Sequence, residues 1–129
     1  HVTLEGVVPN VIRENYNAAL FLFTSDYEGY PNAVLEAAAA AIPIVTTDFS
    51  PGTAREIVAD AANGYIVPVG DVDAVADAAV RALSGSLDST EVAKEALRVR
   101  QHHKTDRVLE AWLSVFGLSS TNRPRTLRE

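Results

Sequence analysis

The chain has 129 residues, 47% hydrophobic and 22% charged, with 11 basic and 17 acidic side chains and no cysteine. That length suits one domain that hides roughly two-thirds of its unfolded surface without a covalent staple. The lack of cysteine excludes disulfides and thiolate metal sites and agrees with a reducing compartment. A net charge of −6 argues against nucleic acid as the main partner, because binding phosphate backbones needs a basic face.

In chain order, Val2-Thr3-Leu4 reads as a short strand ended by Gly6, and Pro9 opens a helical run in which Ile12, Tyr16 and Ala19 recur at helix spacing. The near-continuous apolar run Ala19–Thr24 predicts a parallel strand buried on both faces. A helix from about Pro31 to Ala41 follows, and Pro43 breaks the chain before the β-branched run Ile44-Val45-Thr46-Thr47. Asp48-Phe49-Ser50-Pro51-Gly52 reads as a loop. Thr53-Ala54-Arg55-Glu56 has the Thr-x-x-Glu pattern of a capping box, so a short helix is expected there with Ile57 and Val58 inward. Tyr65–Val69 is a further strand, with Pro68 marking an edge or an end. Asp71 caps a helix whose Val72, Val75, Ala76, Ala79, Val80 and Leu83 form an apolar face.

The remainder is helical and then polar. Ser84–Ser89 is a linker, Thr90 caps a helix to about Arg100, and Val108, Trp112, Leu113 and Phe116 form a stripe on a last helix stopped by Gly117. These boundaries give a domain over 1–117 and a polar, disordered tail over 118–129. Successive β-α units make an α/β parallel sheet the expected scaffold. The most apolar region, 33–47, is interrupted by Glu36 and Pro43 and cannot supply the ~20 apolar residues of a membrane span. Because the chain starts at His1 on a strand-like run, it reads as part of a longer protein.

The stretch with chemistry is Glu28-Gly29-Tyr30-Pro31-Asn32-Ala33-Val34-Leu35-Glu36, two carboxylates bracketing a helix start. A helix N-terminus offers free N–H groups and positive dipole to phosphate. Gly29 permits close main-chain approach, and Pro31 loses no hydrogen bond in the first turn. A carboxylate accepts two hydroxyl hydrogen bonds at once, so the pattern suits a polyhydroxylated ligand carrying phosphate. Simpler readings stand beside this one. Glu28 can cap the helix, and Glu36 can be a solvated carboxylate, although an acid on a helix of Ala, Val and Leu points to a buried group that needs a partner. Glu56 is explained by its capping box and Asp48, Ser50 and Gly52 by turn chemistry. His102 and His103 lack a third ligand at a fitting spacing, so no metal site is expected, and Trp112 reads as core or interdomain packing.

The run Phe21–Val69 resembles the donor-binding half of a retaining glycosyltransferase of the two-Rossmann-domain (GT-B) kind, glycosyltransferase family 4. Beyond Glu28–Ala37, the matching segments are Ile42-Pro43-Ile44-Val45, Arg55-Glu56-Ile57-Val58 and Asn63-Gly64-Tyr65-Ile66-Val67-Pro68. The resemblance implies a Rossmann-like sheet with flanking helices, the C-terminal part of a GT-B fold incomplete at its N-terminus. It implies transfer of a hexose from a nucleotide-diphosphate sugar with retention, with no metal and no cofactor. Glu28, as catalytic residue, would hold the hexose, Gly29, Tyr30, Pro31 and Asn32 the diphosphate, and Glu36 the ribose hydroxyls.

The partners implied are a nucleotide sugar and an acceptor glycan or lipid-linked glycan bound through an N-terminal domain upstream of His1. The location implied is cytoplasmic, peripheral to the inner face of the membrane. The basic residues that grip diphosphate in this family also lie upstream, so the 129-residue chain alone is expected to bind weakly and catalyse little. In the strand order 3-2-1-4-5-6, Val2–Leu4 and Leu20–Thr24 would not be neighbours, so Val2–Leu4 is expected either to slide in beside that strand or to stay loosely held. Two other readings remain: a sugar-nucleotide epimerase of similar architecture, and a truncated non-catalytic module with a free sheet edge.

Overall fold

The computed structural model describes residues 1–118. The polar tail expected over 118–129 lies, beyond Leu118, outside the described residues. Contacts divide the chain into His1–Val99 and Arg100–Glu129.

Within His1–Val99, the described strands are β1 (Phe21–Phe23), β2 (Ile44–Thr47) and β3 (Gly64–Val67), in the order β1-β2-β3. All pairs are parallel, with Phe21 opposite Ile44 and Ile44 opposite Gly64. The helices that begin in this unit are α1 (Val11–Glu14), α2 (Asn32–Ala39), α3 (Ala54–Ile57), α4 (Val72–Leu83) and α5 (Ser89–His102), the last running on past Val99. Pro43 breaks the chain just ahead of β2 and Pro68 directly follows β3, because neither proline can donate to a ladder.

The central strand β2 is buried at all four positions. Side chains alternate across a strand, so Ile44 joins Val34, Ala37, Ala38, Ile57, Val58 and Val99 on one face. Val45 joins Tyr65, Val67, Ala78 and Ala82 on the other. Arg98 reaches from α5 to the carbonyl oxygens of Glu56 and Ile57, satisfying acceptors at the end of α3. Asn63 holds the turn before β3. It is 2% exposed; its Oδ1 accepts from Ala59 N–H at 2.8 Å, and its Nδ2 donates to the Ile57 carbonyl at 3.3 Å. Asn63→Ala would orphan the Ala59 N–H and leave the Ile57 carbonyl to Arg98 alone, and a loss of about 1–3 kcal/mol in urea unfolding is the expected result.

Several elements differ from the sequence reading. Val2-Thr3-Leu4 forms no strand, and Val2 and Leu4 are exposed. Alternating residues can suggest a strand, but only a ladder partner makes one. β1 is therefore an edge strand, not one buried on both faces. Phe21 and Phe23 pack on the α2 side, while Leu22 on the opposite face is half exposed.

The buried face of α4 is also rotated from expectation. Ala78 and Ala82 are buried and Ala74 and Val75 partly so, while Val72, Val80 and Leu83 are exposed. Small residues four apart let the helix backbone lie close against β2 and β3, so side-chain size outweighed hydrophobicity.

In the second unit, α6 (Thr105–Val115) follows Lys104, and Gly117 ends the run at φ 66°, a left-handed stop that glycine accepts readily. Among the described residues, no helix is long and apolar enough to cross a membrane.

Candidate functional site

Three loops leave the carboxyl ends of the strands. They are 24–31 between β1 and α2, 48–53 between β2 and α3, and 68–71 between β3 and α4. The first two are joined past the ends of their strands. Glu28 N–H donates to Ser50 O at 3.2 Å, Ser50 N–H donates to Asp26 O at 3.4 Å, and Tyr27 bridges Ser50 in parallel. Thr47, buried at the end of β2, donates its hydroxyl to the Ser25 carbonyl. The loop carrying Glu28 is thus held against the central strand.

Glu28 is partly buried, and its Oε1 accepts from Ser25 Oγ at 2.8 Å, which aims the carboxylate with a side chain three residues upstream. Gly29 is exposed, its φ lies outside the left-handed region, and a Cβ added there would meet nothing within 4 Å. Neither conformation nor packing within the chain therefore requires glycine at 29.

Pro31 is buried and is the N-cap residue of α2, with φ −83° and ψ 84°, so the helix begins at Asn32, one residue later than expected. No side chain caps this N-terminus, and its first turn holds no acid. The N-terminus of α4 at the same sheet edge contrasts with it: Asp71 Oδ1 accepts from Ala74 N–H at 2.9 Å, and Asp73 lies in the first turn. One helix start supplies its own anion and the other leaves room for one.

Glu36 lies four residues beyond Asn32, about 6 Å further along the helix axis. It is exposed, which removes the expectation of a buried acid needing a partner. The helix sends Val34, Ala37 and Ala38 inward and leaves Asn32, Ala33 and Glu36 toward solvent.

The expected capping box is absent. Thr53 has helical angles of φ −65° and ψ −16°, whereas an N-cap residue needs extended ones, and its Oγ1 is buried without a hydrogen-bond partner. Glu56 instead acts electrostatically on Tyr30, whose phenol is pushed above its usual range by burial and then by the Glu56 charge. Asp48, a loop candidate in the sequence, binds Arg55 through two hydrogen bonds of 3.1 and 2.6 Å. That pairing holds the Arg55 proton more tightly than usual, first through the hydrogen bonds and then through the Asp48 charge. Sequence reasoning missed both pairs, since neither has a local motif.

A cavity of about 260 Å³ also opens at this edge, lined by Thr24, Asp26, Thr47, Gly70, Asp71, Val72 and Val75. It includes none of Glu28, Gly29, Tyr30, Pro31, Asn32 or Glu36, so the structure separates the sequence-derived site from this hollow. Among the described residues, no three His, Asp or Glu side chains cluster in a way that could hold a metal ion.

A parallel sheet with helices on its faces and loops gathered at its carboxyl end defines an α/β, Rossmann-like chain. Residues 1–85 match the model of the family Glycosyl transferases group 1, and the chain belongs to that family. It is 27% identical over 129 residues to the poly(glycerol-phosphate) alpha-glucosyltransferase of Bacillus subtilis (strain 168), covering 100% of this chain and 19% of that protein. It is 29% identical over 131 aligned positions to the exopolysaccharide phosphotransferase SCO2592 of Streptomyces coelicolor, covering 99% of this chain and 14% of that one.

The fold is similar to that of S. aureus TarM, solved in complex with Fondaparinux, alpha-GlcNAc-glycerol and UDP. The TM-score is 0.61 at 25% identity, over 76% of this chain and 20% of that one. The architecture is that of a GT-B glycosyltransferase domain. The chain spans about a fifth or less of the length of these curated relatives.

Proposed function

We propose that this chain is the donor-binding half of a retaining glycosyltransferase that transfers a hexose from a nucleotide-diphosphate sugar without a metal or other cofactor. The observation that carries the reading is the N-terminus of α2. It sits uncapped and free of acids in its first turn at the carboxyl end of a parallel sheet, between Glu28 and Glu36. Free N–H groups and dipole there favour the diphosphate and the charge that develops on it as the sugar departs. Glu28, aimed by Ser25, would accept from the hexose hydroxyls, and exposed Glu36 from the ribose. Gly29 has open space above it, consistent with a ligand at its main chain.

The family and the TarM likeness favour glycosyl over phosphoryl transfer, although one similar relative is named a phosphotransferase. Arg55, basic and on this edge, is already paired with Asp48, so a firm grip on diphosphate needs cations from elsewhere in a longer protein. The acceptor, a glycan or lipid-linked glycan, belongs to that part too, and catalysis by this chain alone should be weak. We place the protein in the cytoplasm, in keeping with its lack of cysteine.

Amide shift mapping of the chain with uridine and guanosine diphosphate sugars tests the reading. Shifts confined to Glu28–Glu36 are the expected result. Shifts centred on the Thr24–Asp71 cavity, or none at millimolar ligand, would refute the site.

A further inference from the structure

The hollow of about 260 Å³ at the carboxyl edge of the sheet lies wholly within His1–Val99. Thr24 and Asp26 reach it from the loop after β1, Thr47 from the end of β2, and Asp71, Val72 and Val75 from the start of α4. Thr47 is 2% exposed, and its hydroxyl spends its one proton on the Ser25 carbonyl. Its oxygen can therefore only accept, and among the described residues no donor reaches it. The Asp26 carboxylate likewise has no donor among them. Asp71 uses Oδ1 on the Ala74 N–H and keeps Oδ2. Of the side chains lining the hollow, Thr24 alone has a proton left to give.

Such a wall calls for a ligand rich in donors. Phosphate and carboxylate groups only accept, and they meet two like charges here, on a unit with 5 basic and 14 acidic side chains. The hollow therefore disfavours the diphosphate of a nucleotide sugar. Its back is apolar, formed by Val75 and by Val72, which is 77% exposed. Covering that surface is favourable only for a ligand that has an apolar face beside its donors. A pyranose has both, C–H groups on its face and hydroxyls round its edge. A small ammonium ion has the donors alone.

We propose that this hollow binds one neutral sugar ring of the acceptor glycan. Asp26, Asp71 and Thr47 accept from its hydroxyls, and Val72 and Val75 lie under its C–H face. The volume falls below the roughly 300–1,000 Å³ of drug-sized sites, so it takes a single ring and not a nucleotide sugar. Asp26 stands two residues before Glu28 in the same loop, which brings the ring close to the hexose assigned to Glu28. The bulk of the acceptor stays with the rest of a longer protein. The role as acceptor site rests on the glycosyltransferase reading above, whereas the binding of a neutral sugar here does not.

Amide shift mapping of the 129-residue chain tests this with three probes: methyl α-glucopyranoside, glucose 1-phosphate and ethylammonium chloride. The neutral glycoside is expected to shift the amides of residues 24–26, 47 and 70–72, with half-saturation at roughly millimolar concentration. Glucose 1-phosphate, the same ring with an anion attached, should leave them in place, and ethylammonium should bind more weakly than the glycoside. Asp26→Ala should weaken glycoside binding by roughly fivefold or more, through the lost acceptor. Val72→Trp should block the hollow, and because Val72 is so exposed the remaining amide signals should keep their wild-type positions.

Several results overturn the proposal. They are no shift with the glycoside at ten times the expected half-saturation, shifts centred elsewhere, equal binding of glucose 1-phosphate or ethylammonium, or unchanged glycoside binding in Val72→Trp. A glycoside seated in the hollow while nucleotide sugars fail to shift Glu28–Glu36 would overturn the acceptor role and keep the sugar site. Nucleotide-sugar shifts at Glu28–Glu36 with no glycoside in the hollow would overturn the sugar site and keep the donor reading.

Discussion

Glu36→Ala is expected to weaken nucleotide-sugar binding by on the order of tenfold or more, because losing a charged hydrogen-bond acceptor costs ~1.5–3 kcal/mol. The measurement is titration calorimetry on a longer protein that carries this chain. Glu36 is exposed, outside both core clusters, and follows a helix turn in which alanine is the better helix former. Thermal stability should therefore move by no more than about 0.5 kcal/mol. That pairing of outcomes distinguishes a ligand contact from a structural acid. Unchanged affinity would remove Glu36 from the donor site, and a large loss of stability would show that the side chain supports the fold.

Gly64→Ala should produce the largest stability loss among single-methyl additions to the glycines of this chain. A Cβ built on Gly64 sits 2.2 Å from the Ile44 carbonyl oxygen, 3.0 Å from its carbonyl carbon and 3.1 Å from its Cβ. These atoms belong to β2, the fully buried central strand, and Ile44 is the register partner of Gly64. Backbone of a central strand cannot swing aside as a surface side chain can, so β3 would have to move away and loosen the ladder. Overpacking of this kind costs about 3 kcal/mol or more, a large part of the roughly 5–15 kcal/mol that holds a typical domain together. Urea unfolding with Gly29→Ala as the reference checks it, since a Cβ at 29 meets nothing. Equal midpoints for the two variants would refute the close approach.

The motif Glu28–Glu36 and the segments after it were legible because each combines residue types that local physics assigns to one place. Glycine and proline punctuate the turn, and an Ala-rich run makes the helix. What the motif could not convey was environment. Glu36 looked like a buried acid because its sequence neighbours are apolar, yet only one side of α2 meets the sheet. Glu56 looked like a capping residue because it stands three after Thr53, yet the loop gives Thr53 helical angles and brings Glu56 into the field of Tyr30.

By itself the sequence determined the α/β alternation, the breaks at Pro43 and Pro68 and the Asp71 cap, since propensity, missing N–H groups and caps act within a few residues. Only the tertiary structure decided that Val2–Leu4 forms no strand, that α4 packs through Ala78 and Ala82, and that Asp48 is taken by Arg55. Each depends on a partner distant in the chain or on the size of the side chain facing it. Local sequence sets which backbone states are cheap, and long-range packing selects which of their faces are buried.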